Sequence, residues 1–194
     1  MNKTDLKLYA ITDRQWLQGA RLSEHVKLAI EGGATMIQIR DKDILSTASD
    51  AGLKDEYSEA LEIKKICHEH KVPLIINDNV QFAIDIDADG VHLGQDDMNP
   101  AEARKLLGTD KIIGVTAKTV EQAKKAQADG ADYLGSGAVF GSTTKLNAKP
   151  MTKELLREIT AAVDIPVVAI GGGVVSKSCP GNRTMIAKGL PQYP

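Results

Sequence analysis

Aromatic side chains are scarce: one Trp, four Tyr and two Phe make up 4% of the 194 residues. So few rings disfavour a platform that stacks the bases of single-stranded nucleic acid. Net charge is also small, at -2, with 24 Lys and Arg against 26 Asp and Glu. Nucleic acid and anionic membranes reward a strongly basic surface, so neither is expected as the main partner, although a local basic pocket for a phosphate stays open. The two cysteines, Cys67 and Cys179, form no CxxC pair and no disulfide framework. Residues 1–8 carry Lys3, Asp5 and Lys7 and no apolar signal-peptide core, so a reducing, cytoplasmic location is expected. No apolar run approaches the ~18 residues of a spanning helix. What the chain does have is 42% hydrophobic residues, enough for a buried core, and 17 glycines for tight turns or close backbone approach to a ligand.

Short apolar runs alternate with longer amphipathic stretches. The runs 8–12, 36–40, 73–77, 90–94, 111–116, 133–139 and 166–171 are bounded by Gly, Pro, Asn or Asp and read as strands. The stretches between them read as helices. Residues 19–31 space Leu22, Val26, Ala29 and Ile30 helically, and 58–70 set Leu61, Ile63 and Ile66 beside charges. Residues 100–107 open on a proline, while 119–128 and 152–163 start at Thr119 and Thr152 as N-caps. Seven β units with six intervening helices imply parallel pairing, either in an open doubly wound sheet or in a closed (β/α)8 TIM barrel. Polar residues follow nearly every strand. A barrel gathers all those loops at one mouth, whereas an open sheet leaves most of them idle, so the barrel is preferred.

The mouth would hold several candidate groups. Gln38 and Arg40 lie on one face of the second strand with Lys42 just beyond it, a set suited to a phosphate or diphosphate. A rim ion pair with Asp41 or Asp43 is the competing reading. Asn77 and Asp78 end the third strand, and Gln95, Asp96 and Asp97 follow the fourth. Asp78 beside Asp96 or Asp97, with phosphate oxygens and water, makes an ordinary Mg²⁺ site; simple turn chemistry is the alternative. Ser142, Thr143, Thr144 and Lys145 form a candidate oxyanion cradle after the sixth strand, and Gly171, Gly172 and Gly173 admit a ligand close to the backbone after the seventh. Cys67, His68 and His70 read as a solvated helix end rather than a zinc site, and His92 as a hydrogen-bonded core histidine.

The segments Gln38-Ile-Arg-Asp-Lys42, Leu74-Ile-Ile-Asn-Asp78-Asn, Ala88-Asp-Gly-Val-His-Leu-Gly-Gln-Asp-Asp97, Gly130-Ala-Asp-Tyr-Leu-Gly135, Ser142-Thr-Thr-Lys145 and Val168-Ala-Ile-Gly-Gly172 resemble the thiamine-phosphate synthase (thiamine-phosphate pyrophosphorylase) family, in the family's order. The resemblance implies a (β/α)8 barrel. It also implies a transferase of thiamine biosynthesis that joins 4-amino-5-hydroxymethyl-2-methylpyrimidine diphosphate to a thiazole phosphate, with Mg²⁺ as cofactor. On this resemblance Gln38, Arg40, Lys42 and Asn77 hold the pyrimidine diphosphate, and Asp78 and Asp97 bind Mg²⁺. Thr116, where the family usually has Ser, contacts the pyrimidine. Ser142 (usually Thr), Thr143, Thr144 and Gly172 surround the thiazole phosphate. Lys42 and Lys145 touch the diphosphate and carry the catalytic role. Residues 174–194 show no counterpart of the family's last helix and eighth strand. The expectation is therefore a barrel over 1–173 with its eighth βα unit missing or diverged, an irregular tail over 174–194, and weakened thiazole-phosphate binding. The exposed edge would be filled by the tail or sealed by a second copy in a homodimer. A thiazole tautomerase-like relative without metal and an impaired ligand-binding protein are the alternatives.

Overall fold

The computed structural model describes residues 3–14, 17, 19–40, 50–139, 151–171 and 184–185. Its strands are β1 (Tyr9–Ile11), β2 (Met36–Ile39), β3 (Leu74–Asn77), β4 (Gly90–Leu93), β5 (Ile112–Thr116), β6 (Tyr133–Gly137), β7 (Val167–Ile170) and β8 (Thr184–Met185). They pair in sequence order, all in parallel. The helices are α1 (Leu22–Glu31), α2 (Asp50–Glu69), α3 (Val80–Asp85), α4 (Pro100–Leu107), α5 (Val120–Ala128) and α6 (Lys153–Ala161).

The sheet is curled into a barrel, and one contact demonstrates it. Tyr9 on β1 and Tyr133 on β6 stand five strands apart, roughly 24 Å in a flat sheet. Their hydroxyls nevertheless lie 2.7 Å apart and their ring centroids 5.8 Å apart. Strand alternation then sorts the apolar residues into two cores. Tyr9, Met36, Ile75, Ile112, Tyr133 and Val168 fill the interior, closed at one end by Leu6 of a short 3-10 turn. Ile37, Ile39, Leu74, Ile76, Val91, Leu93, Ile113, Val115 and Leu134 face the opposite way, into the layer shared with the helices. Because both faces are buried, these strands are nearly all apolar.

Local chemistry sets the helix starts. Thr119 accepts a hydrogen bond from the Gln122 N–H and Thr152 from the Leu155 N–H. Pro100 occupies the first turn of α4, whose cap is Asn99. Two helices depart from the expected pattern. α2 begins at Asp50, eight residues before the periodicity from Ser58 shows it. α3 is six residues long and buries only Val80 and Ala83, too short to establish a period.

The tail reaches the open edge. The eighth unit was expected to be missing or diverged, and Thr184 and Met185 pair in parallel with Val168 and Ala169 of β7. The physical reason is the open edge of β7, whose backbone N–H and C=O groups need partners, and this proline-free dipeptide supplies them. Among the described residues the eighth strand is this two-residue rung. Among the described residues no pairing joins β8 to β1. Among them too, no helix is long and apolar enough to cross a membrane.

Candidate active site

The carboxyl ends of β2 to β4 bring together four of the expected residues, Arg40, Asn77, Asp78 and Asp97. β3 ends at Asn77, and Asp78 follows in the left-handed region, with φ 62°. Aspartate tolerates that conformation better than most side chains. The Asp78 N–H still donates to the His92 carbonyl at 2.8 Å, so the ladder holds to its last rung while the chain turns. Asn79 then caps α3 by accepting from the Phe82 N–H at 2.9 Å. On the neighbouring strand, the Asp97 carboxylate accepts from the Gly94 N–H at 2.6 Å and folds the loop back over the end of β4. A Cβ at residue 94 would stand 2.8 Å from that carboxylate oxygen, so a side chain there would make the Asp97 carboxylate shift.

Asp78 and Asp97 face each other. Burial and the neighbouring Asp97 carboxyl push Asp78 up to about 6, while Asn77 and the Arg40 guanidinium pull it back. It is Asp97 rather than Asp96 that bears on Asp78. Two crowded carboxyls at a half-buried mouth, opposite an arginine, fit a hard divalent cation with all-oxygen ligands such as Mg²⁺. Among the described residues no group of three or more His, Cys, Asp or Glu converges.

A second set lies deeper. Gln38 is buried and its Nε2 donates to the Tyr9 hydroxyl at 2.6 Å. Tyr9 meets Tyr133 at 2.7 Å; the Tyr133 hydroxyl meets His92 Nδ1 at 3.0 Å; His92 Nε2 meets Thr116 Oγ1 at 3.0 Å. The Gln95 amide donates to the Thr116 carbonyl at 2.6 Å and ties the β4 loop to the end of β5. His92 is a hydrogen-bonded core histidine, and burial pushes it down to about 4, so it is neutral at pH 7. The tyrosines escape a reading by motif, because their meeting depends on closure of the barrel. The available signal is chemical: a mid-strand tyrosine in a closed interior needs a partner for its hydroxyl.

Other expected residues divide as follows. Arg40 is held through its N–H, which donates to Thr12 Oγ1 at 3.0 Å. Arg14 pairs with Glu59 of α2 at 2.9 Å. Cys67 is buried, its thiol pushed up to about 12 by burial and by Asp89, whereas His68 and His70 are exposed, so the three do not form a ligand cluster. Lys42, Ser142, Thr143, Thr144, Lys145 and Gly172 lie outside the described residues.

Comparison with known proteins identifies the family. The family model described as thiamine monophosphate synthase matches residues 8–178. A thiamine-phosphate synthase of Caldanaerobacter subterraneus subsp. tengcongensis is 46% identical over 172 residues, 89% of this chain and 77% of that relative. One of Clostridium acetobutylicum is 47% identical over 172 residues, 89% of this chain and 78% of the relative. Among solved structures, thiamine phosphate pyrophosphorylase of Pyrococcus furiosus superposes with a TM-score of 0.78 at 34% identity, covering 96% of this chain and 87% of that one. An N-acetylmannosamine-6-phosphate 2-epimerase of Clostridium perfringens, at a TM-score of 0.63 and 15% identity, shares the fold alone.

Proposed function

This chain belongs to the thiamine monophosphate synthase family, and from that premise we propose that it joins 4-amino-5-hydroxymethyl-2-methylpyrimidine diphosphate to a thiazole phosphate, releasing diphosphate and thiamine phosphate. It is an enzyme of the transferase class, acting on small molecules. The observation that carries the reading is the cluster of Arg40, Asn77, Asp78 and Asp97 at one barrel mouth, beside the buried chain that ends at Thr116.

Each residue has a task in this reaction. Gln38, Arg40, Lys42 and Asn77 bind the pyrimidine diphosphate, and Thr116 orients its ring. Asp78 and Asp97 would hold Mg²⁺, which when bound neutralises charge on the departing diphosphate. Lys42 and Lys145 add positive charge on the same leaving group. An electron-rich aminopyrimidine stabilises the methylene cation left behind, and the thiazole nitrogen attacks it. Ser142, Thr143, Thr144 and Gly172 seat the thiazole phosphate. The neutral His92 keeps further positive charge away from that developing cation. No strong base is required. A metal-free thiazole tautomerase would have no use for the crowded Asp78–Asp97 pair, so that alternative is not favoured. Two isolated thiols and cytosolic-type small substrates support a cytoplasmic setting. The test is product formation by the purified chain. Thiamine phosphate that appears only with both substrates supports the assignment, and its absence at saturating substrates and Mg²⁺ refutes it.

A further inference from the structure

The barrel interior contains one continuous chain of polar groups whose two tyrosines the assigned chemistry does not use. It runs from Gln38 through Tyr9, Tyr133 and His92 to Thr116, with links of 2.6, 2.7, 3.0 and 3.0 Å, and it spans β2, β1, β6, β4 and β5. Tyr9 and Tyr133 are buried completely, and Gln38 and His92 almost so. Two glycines leave room for the rings. A Cβ on Gly114 would lie 2.0 Å from Tyr133 Cζ, and one on Gly135 would lie 2.9 Å from His92 Cε1.

Hydrogen-bond inventory gives the chain a direction. Gln38 Nε2 donates to Tyr9; the Tyr9–Tyr133 bond can run either way, but only with Tyr9 as its donor does every buried hydroxyl proton in the chain meet an acceptor. The Tyr133 proton is then left for His92 Nδ1, which must be the unprotonated nitrogen. His92 Nε2–H therefore donates to Thr116 Oγ1, and the Thr116 proton is left for a ligand. Thr116 is half-buried at the end of β5, where a ligand can reach it.

We propose that Tyr9, Tyr133 and His92 are positioning residues that lock His92 in one tautomer and so present the Thr116 hydroxyl to the substrate as a donor. The ligand this selects is a heterocycle with an unprotonated ring nitrogen, as in an aminopyrimidine. The inference rests on the proposed reaction for the identity of that ligand, but not for the tautomer. It predicts an asymmetry between the tyrosines. Removing the Tyr133 hydroxyl cuts the chain at His92, whereas removing that of Tyr9 leaves Tyr133 still able to donate to Nδ1.

The experiment combines ¹⁵N-histidine NMR of the ligand-free protein at pH 7 with steady-state kinetics. Wild type and Tyr9→Phe should show His92 protonated on Nε2 alone, and Tyr133→Phe a mixture of tautomers. Tyr133→Phe should raise KM for the pyrimidine diphosphate about tenfold, leaving KM for the thiazole phosphate unchanged and kcat within about threefold. Thr116→Val should match it, Thr116→Ser should restore the wild-type KM, and the Thr116→Val/Tyr133→Phe double variant should lose no more than Thr116→Val alone. A wild-type His92 protonated on Nδ1, or a folded Tyr133→Phe protein with one tautomer and an unchanged pyrimidine KM, overturns the proposal. If Tyr133→Phe does not fold, the wild-type tautomer and the Thr116 pair decide it. If wild type forms no thiamine phosphate, the proposed reaction falls, and the tautomer measurement still decides the chain.

Discussion

Replacing Gly114 with alanine adds one methyl group, and the structure says where it goes. The new Cβ would lie 2.0 Å from Cζ, 2.2 Å from Oη and 2.4 Å from Cε1 of Tyr133. A flexible side-chain tip could step aside, but this ring is rigid and fully buried. It stands edge-on to Tyr9 at 74°, and its hydroxyl is engaged by both Tyr9 and His92. Overpacking a tight core costs ~1–3 kcal/mol. Displacing the ring also loses two hydrogen bonds at about 1 kcal/mol each, for a total of roughly 3–5 kcal/mol. At about 2–4 °C per kcal/mol for a chain of this size, the melting temperature should fall by roughly 6–20 °C. Thermal unfolding followed by circular dichroism measures it. The control is Tyr133→Leu, which lacks all three clashing atoms. In that background Gly114→Ala should cost less than about 1 kcal/mol, since the two positions couple through direct contact. A Gly114→Ala protein melting within about 2 °C of wild type, well short of the smallest shift in that range, would refute the packing argument. So would an equal loss in the Tyr133→Leu background.

Three further outcomes follow from the site and its surroundings. Asp78→Asn should cut metal-dependent turnover by orders of magnitude at low Mg²⁺, yet melt no lower than wild type without metal, because it removes the like charge beside Asp97; full activity at low Mg²⁺ would refute the assignment. Lys145→Ala and Lys42→Ala should each slow product formation far more than they lower the melting temperature, as both charges are assigned to the diphosphate and not to the core; a folded and fully active Lys145→Ala protein would contradict the role given to that lysine. Cys67, buried with its thiol pushed up to about 12, should resist alkylation at pH 8 until the protein unfolds; peptide mapping reads it separately from Cys179, and rapid labelling of Cys67 in the native protein would contradict its burial.

How much the sequence discloses depends on the range of the interaction. The strands are legible because Met36–Ile39 and its counterparts are short apolar runs buried on both faces. The carboxylate pair is legible because β3 and β4 are parallel neighbours, so topology brings Asp78 close to Asp96 or Asp97, and the family resemblance selects Asp97. α3 is not, since two buried positions define no period. The rung at Thr184 and Met185 is too short for a pattern, and its formation depends on the vacant edge of β7 rather than on its own residues. The Tyr9–Tyr133 contact spans 124 residues and exists only once the barrel has closed. Aromatic scarcity, read at first only as an exclusion, gains a second meaning here: two of the four tyrosines are spent on one buried hydroxyl pair.

The most direct test of the account is a stoichiometric turnover measurement on the purified full chain. The aminopyrimidine diphosphate, the thiazole phosphate and Mg²⁺ are supplied together and then omitted one at a time, with thiamine phosphate and released diphosphate quantified in parallel. The account predicts equal amounts of both products from the complete mixture, and no thiamine phosphate when either substrate is left out or the metal is chelated. No thiamine phosphate from the complete mixture, or undiminished turnover with the metal chelated, would contradict it.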